Sequence, residues 1–294
     1  MNIFNSLGSN YDLPYVLRSF SSGSKKDNED LKNLLEKKYE GMAELFYKGR
    51  EALTLALKIL NLPEDSQVAI NGFTCVAVFN AIRKVGLEPF CLDLEETGDL
   101  NFTAATLEKV LSESKKIKAV VIQNTLGFPC DIDRILKLCQ KYNLILIEDL
   151  AHCVGARYVS GREAGTVGDF VTLSFSQDKV IDAVSGGALV IRNKKYANSK
   201  ALGAKLFHPS GGFLLRDRFY PLETHKIRIA YKFGLGKPYH FILKKLNLLS
   251  NVMNESFYET YSLPSWHASL ALYQFGLLAP SILQLDFFLF VLTY

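Results

Sequence analysis

The sequence predicts an α/β fold in which a mostly parallel sheet is covered by helices on both faces. Between residues 66 and 191, short apolar segments alternate with segments whose apolar residues recur at helical spacing. Residues 119–122 and 144–147 are continuously apolar, as expected for central parallel strands buried on both sides. A chain of 294 residues has room for about two domains, or for one large α/β domain with an appendage.

The N-terminal part is predicted to be an irregular segment followed by a helix. Residues 1–24 are polar and without periodicity, so no regular structure is expected there. Leucines recur at helical spacing within residues 28–39, which predicts a helix. A second helix is predicted to begin near Arg50, and its apolar residues are expected to be buried.

The alternating part follows in order. Strands are predicted at 66–70, 88–94, 118–123, 144–149, 170–175 and 186–191, and helices at 76–86, 103–114 and 131–143. Thr103 and Asp131 begin the last two helices, where such side chains cap free N–H groups. Ligands of parallel α/β sheets bind beyond the carboxyl ends of the strands, so the residues that follow each strand are the candidates for chemistry.

The chain changes character after residue 196. Residues 225–254 contain no acidic residue, and lysine and arginine alternate there with aromatic residues and leucine. This pattern fits a basic helical excursion packed on its own domain or on a partner subunit, which we favour, and it leaves open a peripheral membrane contact through residues 225–250. The predicted division is an N-terminal segment with a helix, 1–48, a large α/β domain, 49–205, and a basic helical and C-terminal part, 206–294.

Composition excludes several classes of protein. A formal net charge of +4 is too small to indicate nucleic-acid binding. The five cysteines are odd in number and form no C-x-x-C pair, so neither a disulfide framework nor a metal site is predicted. Reduced thiols in the cytoplasm are the better interpretation, with Cys75, Cys91 and Cys139 expected in the core.

An aspartate that closes an apolar strand and a lysine about thirty residues later suggest pyridoxal phosphate. This cofactor needs a lysine for its Schiff base and a carboxylate that keeps its ring nitrogen protonated, roles open to Lys179 and Asp149. Gly49 and Arg50 stand at a predicted helix start, which suits the phosphate group. On spacing alone the indication is weak, because Asp149 is equally compatible with a helix N-cap.

Four motifs in order carry a more specific signal: IEDLAHCVGA, G-x-x-A-G-T-V-G-D-F, SFSQDK and SGGALV. Together they resemble the DegT/DnrJ/StrS aminotransferases, pyridoxal-phosphate enzymes that mostly aminate keto-sugars attached to nucleotides. The resemblance extends from about Gly49 to Asn193, with a fainter match at WHASLALYQF. It implies an aspartate-aminotransferase-like large domain with a mostly parallel central sheet between helices.

The resemblance also implies catalytic roles. Lys179 corresponds to the Schiff-base lysine, and Asp149 to the partner of the ring nitrogen. His152 falls beside the cofactor's 3-hydroxyl.

The remaining cofactor contacts are implied in the same way, with two departures. Ser174 corresponds to the serine that binds the phosphate, and Gly49 and Arg50 fall at the phosphate turn. Arg50 replaces a hydroxyl residue of the relatives. Cys75 stands where an aromatic residue normally stacks on the cofactor ring.

The implied function is amino transfer from glutamate, or a similar donor, to a nucleotide-linked keto-sugar by a cytoplasmic homodimer, for cell-surface polysaccharide or antibiotic sugar biosynthesis. Relatives continue into a small C-terminal domain, whereas residues 277–294 are strongly apolar. We therefore expect that domain to be missing, and the apolar end to be poorly packed without spanning a membrane. The alternative is a non-catalytic truncated remnant with a membrane-surface or partner-binding role.

Overall fold

The structure of the chain is a computed structural model that describes residues 11–21, 23–94, 100–251 and 260–292, with side chains described as far as residue 278. The chain divides into two compact units. The sheet unit consists of Lys32–Ser174 and Gly187–Lys205, and the helical unit consists of Met1–Leu31, Phe175–Gly186 and Leu206–Tyr294. The domain boundaries suggested by the sequence remain a prediction.

The sheet unit is built on a seven-stranded sheet in the order β1-β7-β6-β5-β4-β2-β3. Its strands are β1 Met42–Phe46, β2 Gln67–Asn71, β3 Glu88–Leu92, β4 Ile117–Ile122, β5 Ile145–Asp149, β6 Phe170–Ser174 and β7 Gly187–Ile191. β2 to β6 are mutually parallel, whereas β7 runs antiparallel to both β6 and β1. The predicted mostly parallel sheet is confirmed.

Helices follow the strands as the alternating pattern predicts. The sheet unit contains α3 Gly49–Leu60, α4 Val76–Lys84, α5 Ala104–Glu113 and α6 Ile132–Lys141, and it shares α2 Lys25–Tyr39 with the helical unit. The crossovers from β2 to β3 and from β4 to β5 step in opposite directions across the sheet. Because such crossovers are right-handed, α4 and α6 lie on opposite faces. Thr103 and Asp131 accept hydrogen bonds from the third residue after each, which confirms both predicted caps.

The buried strands hold the sheet unit together. Every residue of β7, and all but the last residue of β6, is buried. Val121, Ile147 and Phe170 have no exposed surface. Burying such a side chain contributes about 1.5–3 kcal/mol, so the positions of the strand ends are strongly fixed.

The helical unit contains α1 Leu13–Ser19, α7 Gly211–Tyr231, α8 Gly236–Lys245 and α9 Ser265–Leu292. None of the helices, as far as the structure describes them, has the length and apolar character needed to cross a bilayer. The side chains beyond residue 278 lie outside the described residues, so the expectation for the apolar end stays a prediction.

Three sequence predictions about local structure are wrong. α1 forms within the segment expected to be irregular, because Asp12 caps its first turn by accepting the N–H of Tyr15 at 2.8 Å. β1 is not among the strands predicted from the sequence. This strand is short, lies at the edge of the sheet and pairs with β7 alone, so it lacks the continuous apolar pattern of the central strands. Of the three cysteines expected in the core, Cys139 is buried, whereas Cys75 and Cys91 are exposed, because Cys75 precedes α4 and Cys91 lies on the edge strand β3.

Candidate active site

Three polar side chains lie on one face of the sheet where β5 and β6 end. Asp149 and Thr172 are directly opposite each other in these parallel strands, so their side chains point to the same face. Ser174 follows Thr172 by two residues along β6 and shares that face. Two of the sequence-predicted residues, Asp149 and Ser174, therefore lie at adjacent strand ends.

The first turn of α3 meets this face. Gly49 begins α3, and a Cβ on Gly49 would lie 2.8 Å from Ser174 Cβ and 3.0 Å from Ser174 Oγ. Gly187 also packs closely against Gly49, since a Cβ on Gly187 would lie 2.4 Å from Gly49 Cα. Only glycine permits this packing, which brings the first turn of α3 beside the Ser174 hydroxyl. Arg50, half-buried, is the second residue of that turn.

Asp149 makes a turn and does not cap a helix. Its Oδ1 accepts the N–H of Ala151 at 3.1 Å, two residues ahead, which is the hydrogen bond of an Asx turn. The residues that follow, 150–155, form turns, so the N-cap alternative does not hold in the structure. The side chain is only 8% exposed at the end of a buried strand, which places a carboxylate in a largely dry position.

Glu148, the residue before Asp149, organises the loop that leads to β6. Its Oε1 accepts the N–H of Gly165 and its Oε2 accepts the N–H groups of Val167 and Gly168, all between 2.6 and 2.8 Å. Tyr158 donates a further bond of 2.7 Å to Oε1. The G-T-V-G segment of the second motif is thus a set of backbone donors for one buried carboxylate. Sequence reasoning missed this role.

A second network ties the loop after β4 to the same carboxylate. Asn124 donates to the hydroxyl of Tyr158 at 2.9 Å and accepts the N–H of Cys130 at 2.9 Å. Burial, reinforced by the negative charge of Glu148, raises the pKa of Cys130 to about 12. Burial likewise raises the pKa of Cys153 well above its ordinary value. Both thiols stay protonated at neutral pH and are structural.

Several buried oxygen atoms near the strand ends have no hydrogen-bond partner within the described part of the chain. They are Oδ1 of Asn71 at the end of β2, Oγ1 of Thr74, Oε1 of Gln123 just beyond β4, and Oγ1 of Thr172. An unsatisfied buried polar atom costs about 1–3 kcal/mol, so a group of them indicates a ligand that would satisfy them. Together with the glycine-lined α3 turn, they fit a polar cofactor that carries a phosphate.

His152 and Cys75 complete the predicted set in the sheet unit. His152 is half-buried in the turn after β5, and its backbone oxygen lies 3.7 Å from the position of a Cβ on Gly127, in the loop after β4. Cys75 is exposed immediately before α4. Their roles beside a cofactor remain predictions.

Lys179 belongs to the helical unit, where it lies half-buried on a tight turn. Asp178, the residue before Lys179, and Val184, five residues after it, have left-handed backbone conformations with φ of +62° and +68°. Such conformations cost of order 1–3 kcal/mol for residues other than glycine. Both N–H groups donate to the carboxylate of Asp182, at 3.0 Å and 2.8 Å. Asp182 therefore stabilises the conformation in which the lysine is presented.

The described residues contain no group of three or more His, Cys, Asp or Glu side chains that could hold a metal ion.

The comparison with protein families identifies the fold's relatives. The family model for the DegT/DnrJ/EryC1/StrS aminotransferases matches residues 33–208, which is more than half of the chain. The chain belongs to this family. Its members are pyridoxal-phosphate-dependent aminotransferases, so the cofactor suggested by the strand-end residues is the cofactor of the family.

Individual relatives agree with this assignment. The GDP-perosamine synthase of Escherichia coli O157:H7 is 34% identical over 173 residues, which cover 58% of this chain and 44% of that protein. The UDP-N-acetyl-3-dehydro-alpha-D-glucosamine 3-aminotransferase of Acidithiobacillus ferrooxidans is 31% identical over 145 residues, 49% of this chain and 38% of that protein. In these alignments the chain spans less than half of each relative's length.

A solved structure supports the fold. The aminotransferase from Psychrobacter cryohalolentis aligns with a TM-score of 0.63 over 93% of this chain and 62% of that chain, at 22% identity. At this level of identity the likeness shows a shared fold. The predicted aminotransferase-like α/β class is thereby confirmed.

Proposed function

We propose that the protein is a pyridoxal-phosphate-dependent aminotransferase that moves an amino group from glutamate, or a similar donor, to a nucleotide-linked keto-sugar. The observation that supports it most directly is the placement of Asp149, Ser174 and Gly49 around one sheet face. These residues offer a buried carboxylate, a hydroxyl and a helix N-terminus, as a protonated ring nitrogen and a phosphate require.

Each residue has a defined task in this proposal. Pyridoxal phosphate, when bound, supplies an electron sink for the substrate carbon that loses or gains the amine. The Asp149 carboxylate would hold a proton at the ring nitrogen. Ser174 Oγ, the first turn of α3 and the Arg50 guanidinium would bind the phosphate oxygens. Lys179 Nζ would hold the cofactor covalently and would be the group that moves a proton at the substrate carbon.

The substrate class rests on the relatives. One is named for a GDP-linked product and another for a UDP-linked substrate, so the nucleotide differs within the family. We therefore propose a nucleotide-linked keto-sugar without assigning the base, with cell-surface polysaccharide or antibiotic sugar biosynthesis as the destination. Lys179, where some dehydrating relatives have histidine, favours amino transfer over dehydration.

Self-association through the sheet unit is part of the proposal. Large apolar side chains that are 40–63% exposed follow the carboxyl ends of the neighbouring strands β2 and β4: Phe73, Val76, Phe79, Leu126 and Phe128. Exposed apolar groups of this size mark interaction surfaces, and a second copy of the chain is the partner that supports a homodimer. All five cysteines are free, which supports a cytoplasmic location.

An absorbance spectrum of the purified protein tests the function. With pyridoxal phosphate added, we expect an absorbance band of the covalently bound cofactor near neutral pH and its conversion when glutamate is supplied. If the protein binds pyridoxal phosphate but its spectrum does not change with glutamate or other amino donors, the alternative is favoured, a non-catalytic remnant of the family. A protein that never takes up the cofactor would contradict the proposed site itself.

A further inference from the structure

The helical unit exposes an unusual amount of large apolar surface on α7, α8 and the residues that connect and follow them. Phe233 is 74% exposed and Phe241 66%. The other exposed members are Leu215, Phe219, Ile229, Leu235, Ile242, Leu246 and Leu248. We call these two helices with their connection, through Leu248, the basic hairpin. Large exposed apolar side chains in this number on two consecutive helices indicate an interaction site.

The same hairpin is strongly cationic. Residues 225–251 include Lys226, Arg228, Lys232, Lys237, Lys244 and Lys245 and contain no aspartate or glutamate. The nearest preceding carboxylate, Glu223, is already engaged by Lys226 and by the hydroxyl of Tyr239. The surface charge of the hairpin beyond that point is therefore uniformly positive.

Cationic and apolar side chains share one face of α8. Gly236 and Leu243 are the buried residues of this helix. Phe241 and Lys245 are both exposed and are four residues apart, so they stand one above the other on the helix surface. Mixing lysine with phenylalanine and leucine on one exposed face suits the boundary between lipid headgroups and acyl chains.

A shallow apolar crevice opens between the two helices of the hairpin. It has a volume of about 260 Å³, and Leu215, Phe219, Leu243 and Leu248 line it together with Arg216, Glu223 and Tyr239. The apolar part of this crevice can receive a short apolar segment of a lipid.

We propose that the basic hairpin docks the protein peripherally on an anionic membrane surface. The lysines face the lipid phosphates, and Phe233, Phe241 and Ile242 enter the headgroup layer. This inference goes beyond the proposed amino transfer and does not depend on it. It concerns where the protein binds in the cell, and it involves no residue of the sheet unit.

Other partners match the surface less well. An isologous contact with a second copy would set two uniformly positive faces against each other. Nucleic acid would satisfy the lysines but would leave the leucine and isoleucine side chains without a partner. An anionic bilayer satisfies the charge and the apolar surface together.

The test is flotation of the full-length protein with vesicles of phosphatidylcholine alone and with vesicles that also contain phosphatidylserine. We expect binding to the anionic vesicles only, with binding weakened by salt. Lys244→Glu combined with Lys245→Glu should lower the affinity about thirtyfold or more, since each lysine near an anionic surface contributes about 1 kcal/mol. The matched control is Lys115→Glu with Lys116→Glu, an equal charge change at two exposed lysines of the sheet unit.

The apolar contribution is tested separately. Phe241→Ser with Ile242→Ser should weaken vesicle binding at high salt as well, whereas Leu17→Ser, at a 65% exposed position on α1, should leave it unchanged. Circular dichroism and thermal unfolding establish that every variant is folded.

Three results would overturn the proposal. Equal binding to both vesicle types would assign the contact to another apolar part of the chain. Equal loss in the control and hairpin variants would make it non-specific. Lack of vesicle binding, with a change of sedimentation in the Lys244→Glu and Lys245→Glu variant, would assign the hairpin to contact with a second copy.

Discussion

The hydroxyl of Tyr11 donates a 2.8 Å hydrogen bond to Oδ1 of Asp182, a residue 171 positions further along the chain. Tyr15 donates from the same side to the backbone oxygen of Asp182 at 2.9 Å, and the two tyrosine rings stack at 4.6 Å. Because Asp182 also accepts the N–H groups of Asp178 and Val184, at the two ends of the segment that contains Lys179, the N-terminal segment anchors the part of the chain that presents the lysine.

The buried carboxylate of Asp182 makes the stability of the protein depend on pH. Burial raises its pKa to about 7, against the hydrogen bonds from Val184, Tyr11 and Asp178, which lower it. The pKa of an aspartate in an unfolded chain is about 3.9. Between this pKa and that of the folded state, the folded protein holds a proton that the unfolded chain has released. The free energy of unfolding contributed by this group is therefore largest below about pH 4 and is lost as the pH rises to about 7.

Urea unfolding from pH 4 to pH 8 measures this effect when wild type is compared with Asp182→Asn, which cannot titrate. We expect the free energy of unfolding of the wild type to fall relative to that of the variant as the pH rises to about 7. At the upper end of the measured range the difference between the two should stay constant. Tyr11→Phe should shift the upper end of the window to higher pH, because it removes a bond that favours the ionised carboxylate. Parallel curves for wild type and Asp182→Asn throughout would contradict the prediction.

Local patterns were sufficient to predict six of the seven strands of the sheet and two helix caps. The apolar runs that became β4 and β5 are buried in the structure, and Thr103 and Asp131 cap the helices they precede. These features depend on neighbours within a few residues. Asp149 could be located for the same reason, since it closes one of those runs.

The supporting residues could not be predicted because their partners are distant or lack a side-chain signature. Glu148 binds backbone N–H groups 17 to 20 residues ahead, and any residue type supplies such groups. Asp182 accepts a hydrogen bond from Tyr11, which lies 171 positions earlier in the chain. The two left-handed residues of the segment around Lys179, Asp178 and Val184, are not glycines, so no glycine marks the turn.

Lys179 should carry the cofactor covalently. Borohydride reduction of the loaded protein, followed by peptide mass mapping, should place the adduct on Lys179. Lys179→Ala should lose the absorbance of the bound form, because no other amine is expected to replace it. An adduct on Lys48 or Lys194 would refute the assignment.

Asp149→Asn should retain the cofactor and lose most of its reactivity. An amide cannot keep a proton on the ring nitrogen, whereas the phosphate contacts of Ser174 and α3 are unaffected. Removing one preorganised electrostatic contact of this kind lowers rates by about 10²–10³. Single-turnover absorbance changes with glutamate measure the effect, and Asp133→Asn, at a half-buried surface ion pair with Arg162, is the control. A wild-type rate in Asp149→Asn would show that Asp149 only stabilises the turn after β5 and does not act on the cofactor.

Gly49→Ala should weaken the binding of pyridoxal phosphate about tenfold. The added Cβ would lie 2.8 Å from Ser174 Cβ, so either Ser174 or the first turn of α3 must move, and overpacking of this kind costs about 1–3 kcal/mol. Titration of the unloaded protein with the cofactor gives the affinity. Gly203→Ala, where a Cβ would meet nothing within 4 Å, should bind like wild type. Equal affinities in the two variants would place the phosphate elsewhere.

Glu148→Gln should destabilise the sheet unit by about 2–4 kcal/mol. Two donors face each oxygen of Glu148, and an amide presents its NH₂ group to one of these pairs, which leaves buried N–H groups without an acceptor. Urea unfolding of the unloaded protein measures the loss. Tyr158→Phe removes a single donor and should cost less. Glu108→Gln, at an exposed pair with Lys141, should leave the free energy of unfolding nearly unchanged, because water screens exposed ion pairs. Losses of the same small size in all three variants would show that the loop before β6 is held by contacts other than this carboxylate.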